Sequence, residues 1–302
     1  MVNIKHNRIR IEPGDMAIRS FTYVAMTAAS LFCVLPFLLI LGSSFTTDEA
    51  IRRTGFALIP KIFSTQAYEI ILKSPDMLIG AYTVTILMTA AGTTVGLFII
   101  AMTGYALARK DFPFRNAISF YIYFTSLFSA GLVPFYLLMV QTYKLRDSYL
   151  AVLFPLMISP WLIILMKNFA RATPFEITES GKVDGATDFQ IFLRLILPML
   201  TPALATVGLF LAISYWNEWY YSSLFLGSSV KYKPLQFQLY QVINKIEALR
   251  NSYAGSVVRV AELPGETLKM ATAVIATGPI ILAYPFVQKY FVAGITVGAV
   301  KG

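Results

Sequence analysis

The chain has 302 residues, of which 57% are hydrophobic and only 14% charged, and its mean hydropathy is +0.64. A soluble domain of this length needs far more charged surface, so that class is excluded. The formal net charge of +9 would suggest nucleic acid in a soluble protein. Here no basic stretch interleaved with aromatics lies outside the apolar runs, so it reads as basic flanks facing anionic lipid, with no nucleic-acid partner.

Several apolar runs approach or exceed the ~20 residues needed to cross a hydrocarbon core. They are continuous rather than alternating in ~10-residue strands, so an all-α membrane protein is expected instead of a barrel. The tail 1–19 carries Lys5, Arg8, Arg10 and Arg19. The first span, 20–45, is longer than the ~7–15-residue core of a cleaved leader and is expected to be retained. Residues 46–78 form a polar, extracytoplasmic connection. The second span, 79–108, contains Gly92 and Gly96 at a small-xxx-small spacing that lets helices approach closely. A basic turn with Arg109, Lys110, Asp111, Pro113 and Arg115 follows. The third span, 117–140, is interrupted by Gly131 and Pro134, and the fourth, 149–169, contains Pro155 and Pro160. The fifth covers 195–226. After a long polar stretch, the sixth runs from 270 to 293, and a tail, 294–302, ends the chain. These are six transmembrane helices, the last five forming a core over 79–293.

Lys and Arg are nearly even between the two sides of such a chain. On the short flanks they favour the N-terminal tail and the 109–116 turn, which favours cytoplasmic termini, an orientation expected mainly from the motif over 179–198. The single cysteine, Cys33, lies in the first run and the single histidine, His6, in the tail. Neither has convergent partners, so no metal or catalytic site is expected.

Residues 170–198 are polar but not loop-like. Thr173 with Glu176 is a capping-box pattern, and Pro174 suits a first helical position. A helix is therefore expected from Thr173 to Asp184, closed by Gly185 in a left-handed cap. Thr187 with Gln190 is a second capping box, opening a helix that runs into the fifth span. Phe175, Ile177 and Val183 sit among polar residues. A helix of this kind suits docking to a soluble partner or lying on lipid, and residue physics leaves both open.

Glu179-Ser180-Gly181, then Asp184-Gly185-Ala186, then Leu197-Pro198 resembles the EAA motif of permease subunits of ABC importers. Ser180 and Gly181 stand where alanines are usual, and glycine is a poorer helix former by ~1 kcal/mol, so fraying at Gly181 is expected. Phe128 to Tyr136, Met166 to Phe169, Trp216 to Trp219 and Gly298 to Gly302 resemble segments of the sugar branch. The likeness covers about 80 to 302 and is nearest to maltose-type second permeases, in the lipo-oligosaccharide, aldouronate and alginate branch. The resemblance implies a type I importer fold in a bacterial cytoplasmic membrane. It also implies that 173–194 carries a cytoplasmic coupling helix, with Glu179, Ser180, Gly181, Asp184, Gly185, Ala186 and Pro198 as its coupling residues. Expected partners are a homologous second permease in a heterodimer, an ABC ATPase dimer, an extracytoplasmic binding protein and an oligosaccharide. No Gly-x-x-x-x-Gly-Lys-[Ser/Thr] loop is present, because Gly181-Lys182 is followed by Val183. ATP and magnesium are therefore expected on the ATPase, with no cofactor here and no enzymatic activity.

Tyr215, Trp216, Asn217, Glu218, Trp219 and Tyr220 lie late in the fifth span and are candidates for the substrate path. Trp216, Trp219 and Tyr220 would share one helical face. Aromatic faces beside amides suit sugar rings, and an interfacial aromatic belt explains the same residues. A secondary transporter would need charges deep in the spans, and an intramembrane enzyme with an aspartate dyad would need paired acids in mid-span. The spans carry almost none. A non-sugar ABC permease remains the other alternative.

Overall fold

The computed structural model describes residues 13–73, 75–252 and 265–299. Readings placed on 1–12, His6 included, and on 300–302 lie outside the described residues. The helices are α1 (Pro13–Ser44), α2 (Asp48–Thr54), α3 (Gln66–Leu72), α4 (Pro75–Ala108), α5 (Arg115–Leu127), α6 (Leu132–Leu137), α7 (Tyr149–Met157), α8 (Pro160–Arg171), α9 (Glu176–Val183), α10 (Asp188–Ile191), α11 (Leu197–Met199), α12 (Thr201–Trp216), α13 (Tyr220–Phe225), α14 (Leu235–Ser252) and α15 (Glu266–Ala299), with π-helical turns at Leu138–Thr142 and Phe192–Ile196. No strand occurs among the described residues; one isolated antiparallel bridge joins Thr46 to Phe63. The chain divides into two units, 1–70 with 256–275, and 71–255 with 276–302.

In the first unit, α1 is an apolar helix whose stretch Ile18–Ser44 is long enough to cross a membrane. The unit's polar hub is Asp48. Thr47 caps α2 by accepting from the Ala50 N–H at 3.3 Å. The Asp48 carboxylate then accepts from the N–H groups of Gly265, Glu266 and Thr267 at 3.0, 2.9 and 3.0 Å, and from the Thr267 hydroxyl at 3.1 Å. A distant acid thus satisfies donors that the first turn of α15 cannot bond itself and complements its dipole. Burial opposes ionisation of Asp48, but the hydrogen bonds from Gly265 and Thr267 outweigh it and hold the carboxyl below its ordinary 3.8. A depressed carboxyl contributes stability above its unfolded value, and that contribution is lost as pH falls through the folded one. Asp48→Ala is expected to cost ~1–3 kcal/mol by leaving these donors unpaired. Hydrogen exchange at amides 265–267 should accelerate, and unchanged protection would refute the capping role.

In the second unit, α4 is the central post, packed against α7, α8 and α12. Its glycines make this possible. A methyl at Gly92 would overlap the Tyr215 ring, and one at Gly96 would press on the Met157 carbonyl. The small-xxx-small pair therefore receives a side chain and a backbone. Around it, Ile100, Leu162, Met166, Phe192, Ile196 and Val207 form the main buried cluster.

By length and composition, α1 and α4 each suffice to cross a membrane, and five crossings result if each bent helix pair counts as one. The expected sixth span falls within α15, whose side chains beyond Leu282 lie outside the described residues. Three spans are broken. The fourth bends by 42° between α7 and α8, just before Pro160. The third is interrupted near Gly131, as expected, and sharply: α5 and the segment Leu132–Thr142 meet at 113°. The chain turns at Phe128–Gly131, where Gly131 has φ +86°, a region glycine enters freely. The fifth span is interrupted twice. Asp188–Met199 meets α12 at 85°, between Pro198 and Pro202, which cannot donate to the helical ladder. It stops again at Asn217–Trp219. Only Thr201–Trp216, 16 residues, runs straight, ~24 Å of helix. The continuous fifth helix expected over 195–226 is not formed.

Candidate functional site

The segment after α8 folds from local signals at one end and tertiary ones at the other. The Thr173 capping box does not form. Thr173 instead donates its N–H to Ala170 O at 3.1 Å, and α9 begins at Glu176 behind Phe175, which has no side-chain cap. The start is set from within: Ile177 packs on the main cluster, and the Thr178 hydroxyl meets the buried Tyr105 hydroxyl at 3.3 Å. The other end follows expectation. Gly185 sits at φ +76°. Its N–H bonds Lys182 O at 3.0 Å, and the Ala186 N–H bonds Gly181 O at 3.0 Å, the paired bonds of a Schellman cap. Thr187 and Gln190 then form a reciprocal capping box, at 2.9 and 3.3 Å.

The coupling candidates divide by environment. Glu179, Ser180, Asp184 and Gly185 are exposed, Ala186 is half-buried against the core, and Pro198 is exposed at the bend. Gly181 is buried within α9 and does not interrupt it. A methyl there would come within 2.9 Å of Ile191 Cγ1 and 3.1 Å of Leu195 Cδ1. Glycine lets α9 lie close on α10 and the π-helical turn, so the frayed helix expected from its low propensity is replaced by a tight contact. Val183 is 87% exposed and Phe189 53%, so the tip of the pair is apolar and uncovered in this chain.

A charge network absent from the sequence reading pins the pair to the end of α4. Arg109 donates through Nε and Nη2 to the two Asp111 oxygens at 2.8 and 2.6 Å, and its Nη1 reaches Asp188 at 2.6 Å. Lys182 Nζ reaches Asp111 at 2.7 Å. One guanidinium therefore ties α10 directly, and α9 through Asp111. The Arg109 hydrogen bonds, with help from Lys182 and against slight burial, hold the Asp111 carboxyl well below its usual range. The same pairing holds the Arg109 guanidinium above its own.

The aromatic candidates separate as well. Tyr215 is buried, with its hydroxyl on Leu153 O at 2.8 Å, and the Trp216 indole N–H donates to Ala276 O at 3.0 Å. The helix then ends. Glu218 is buried, and its carboxylate accepts from the Tyr221 N–H at 2.5 Å, the Ser222 N–H at 3.2 Å and the Ser222 hydroxyl at 2.5 Å. It caps α13 and starts a new axis, so Trp216 does not share one continuous helical face with Trp219 and Tyr220. Asn217, Trp219 and Tyr220 are exposed. Two residues of α14 join them: Gln236 donates to Asn217 Oδ1 at 3.4 Å, and the Tyr240 ring lies 4.9 Å from that of Trp219. No local pattern in the sequence links α14 to this cluster.

The family described as binding-protein-dependent transport system inner membrane component matches residues 96–297. The polygalacturonan/rhamnogalacturonan transport system permease protein YtcP of Bacillus subtilis (strain 168) is 37% identical over 95% of this chain and 98% of its own. Protein LplC of the same organism is 37% identical over 89% of this chain and 90% of its own. Among solved structures, a bacterial ABC transporter involved in import of the acidic polysaccharide alginate superposes with a TM-score of 0.76 and 28% identity, over 92% of this chain and 98% of that one. The bent helix pairs, the capped α9–α10 element and these matches agree, and the chain belongs to the family of inner-membrane permease components of binding-protein-dependent transport systems.

Proposed function

We propose that the chain is one transmembrane half of an ATP-driven importer of oligosaccharides, and that α9 and α10 transmit the motion of a separate ATPase to the membrane helices. The observation that carries this is the α9–α10 element itself. It is closed by a Schellman cap and a capping box, braced on α4 by Arg109, and tipped by exposed Val183 and Phe189. An apolar tip on a rigid base suits insertion into a partner's cleft and transmits displacement. On this reading the element and both termini are cytoplasmic, ATP and magnesium bind to the ATPase, and a homologous permease and an extracytoplasmic binding protein complete the importer.

The substrate class is supported by the polygalacturonan/rhamnogalacturonan named for YtcP and the alginate named for the solved importer, and by the cluster of exposed Asn217, Trp219 and Tyr240 with half-buried Gln236. Ring faces beside amides suit a sugar. Uptake of labelled oligouronides and neutral oligosaccharides into proteoliposomes holding the whole complex tests it. Trp219→Ala is expected to lower uptake of the preferred sugar several-fold, by about 1 kcal/mol of lost ring contact, with assembly intact. Unchanged transport of every sugar would return Trp219 to the aromatic belt.

A further inference from the structure

We propose that the cavity beside the coupling helix binds the phosphate of an anionic phospholipid. The cavity measures about 560 Å³ and is lined by Tyr105, Arg109, Lys110, Arg115, Arg171 and Glu176, among others. Arg109 is already matched by Asp111 and Asp188. Lys110, Arg115 and Arg171 have no carboxylate partner among the described residues, and the lone acid on the wall, Glu176, has no cation partner either.

Just behind this wall lies a further cation. Lys167, one turn before Arg171, is only 9% exposed. Its Nζ donates to Ser119 Oγ at 2.6 Å, and Ser119, one turn after Arg115, donates onward to Arg115 O at 2.5 Å. The charged residues one turn away, Arg171 on α8 and Arg115 beside Ser119 on α5, are of like sign. A buried ammonium held by a neutral hydroxyl and flanked by guanidiniums lacks a counter-charge, which buried cations ordinarily require. A phosphate bound between Arg115 and Arg171 supplies it, and guanidiniums match phosphate geometry.

The neighbouring surface selects a lipid over a soluble anion. Arg115 opens α5, a helix with no buried residue. Phe120, Tyr121 and Leu127 on it are 67%, 67% and 59% exposed. A lipid whose headgroup sits on Arg115 lays its acyl chains along this apolar helix, at the boundary where basic residues meet anionic leaflets. The site rests on the membrane assignment and not on the ATPase role of α9.

The test uses the assembled complex in nanodiscs of phosphatidylcholine, with and without phosphatidylglycerol, and in phosphatidylcholine discs with inorganic phosphate added. Native mass spectrometry counts retained phosphatidylglycerol, and Tm is recorded in each arm. The wild type is expected to retain phosphatidylglycerol and to gain a few degrees in Tm from it. Arg171→Gln, at an exposed position that should not disturb folding, and Lys167→Met should lose both effects. Arg146→Gln, outside the cavity, should keep both. Equal retention and equal Tm gain in Arg171→Gln overturn the site. A full Tm gain from inorganic phosphate alone overturns the lipid in favour of a small anion. An Arg171 effect that needs the ATPase and ignores phosphatidylglycerol assigns the cavity to an acidic side chain of that partner and overturns the proposal. Loss of uptake in coupling-helix variants that still retain the lipid would leave it standing.

Discussion

Gly185→Pro is expected to abolish ATP-driven uptake while the subunits remain associated. Gly185 has φ +76°, whereas proline is fixed near −65°. The substitution also deletes the N–H that bonds Lys182 O and re-aims the Ala186 N–H away from Gly181 O. Left-handed backbone costs an ordinary L-residue ~1–2 kcal/mol, and a lost hydrogen bond adds ~1 kcal/mol. Proline cannot enter that region at all, so the turn must rebuild and α9 and α10 lose their mutual register. The core contacts of Ile191, Phe192 and Ile196 lie outside the turn, which is why assembly should survive. Gly185→Ala keeps the N–H and is expected to retain partial uptake. Wild-type uptake by the proline variant would remove the turn from the coupling path.

Arg109→Ala is expected to lower uptake roughly tenfold, the equivalent of ~1.4 kcal/mol of lost coupling, with basal ATP hydrolysis preserved. It unties α10 by stranding Asp188, and it loosens α9 by leaving Asp111 with Lys182 alone. Arg109→Lys should rescue only in part, because an ammonium cannot bridge two carboxylates as a planar fork does. Both charge pairs are partly solvated, so the effect should weaken at high salt. Its pH dependence has a definite sign. The Asp111 carboxyl is depressed chiefly by the Arg109 hydrogen bonds. Its contribution is present above the ordinary 3.8 and is lost only as pH falls below that. Uptake should therefore show no titration from Asp111 between about pH 5 and 8. A wild-type rate in Arg109→Ala would show that the brace is dispensable.

What could be read from the sequence was local. The Thr187–Gln190 box and the Gly185 turn need only neighbours within a few residues, and both formed. The Thr173 box is equally local, yet it yields to Ile177 and Thr178, which must reach the core and Tyr105. Hydropathy located the apolar stretches but not their breaks at Leu200 and Asn217. Those depend on the pairing of Pro198 with Pro202 and on a buried carboxylate turning back on α13. The Arg109 brace joins residues 71 positions apart in its Lys182–Asp111 link, a separation no periodicity reports. Gly181 was legible as a weak helix former, whereas its use as a contact surface needed Ile191 in place.

Val183 is the position from which the central claim is tested most directly. In a complex whose Cys33 has been replaced by Ser, Val183→Cys provides one exposed thiol at the tip of α9. Its site-specific crosslinking should be followed with and without ATP. The expected result is a crosslink to the ATPase subunit whose yield changes with ATP, together with protection of the thiol from membrane-impermeant reagent added outside intact cells. Labelling from outside, or no ATPase adduct in an assembled and active complex, would contradict the assignment of α9 as the coupling helix.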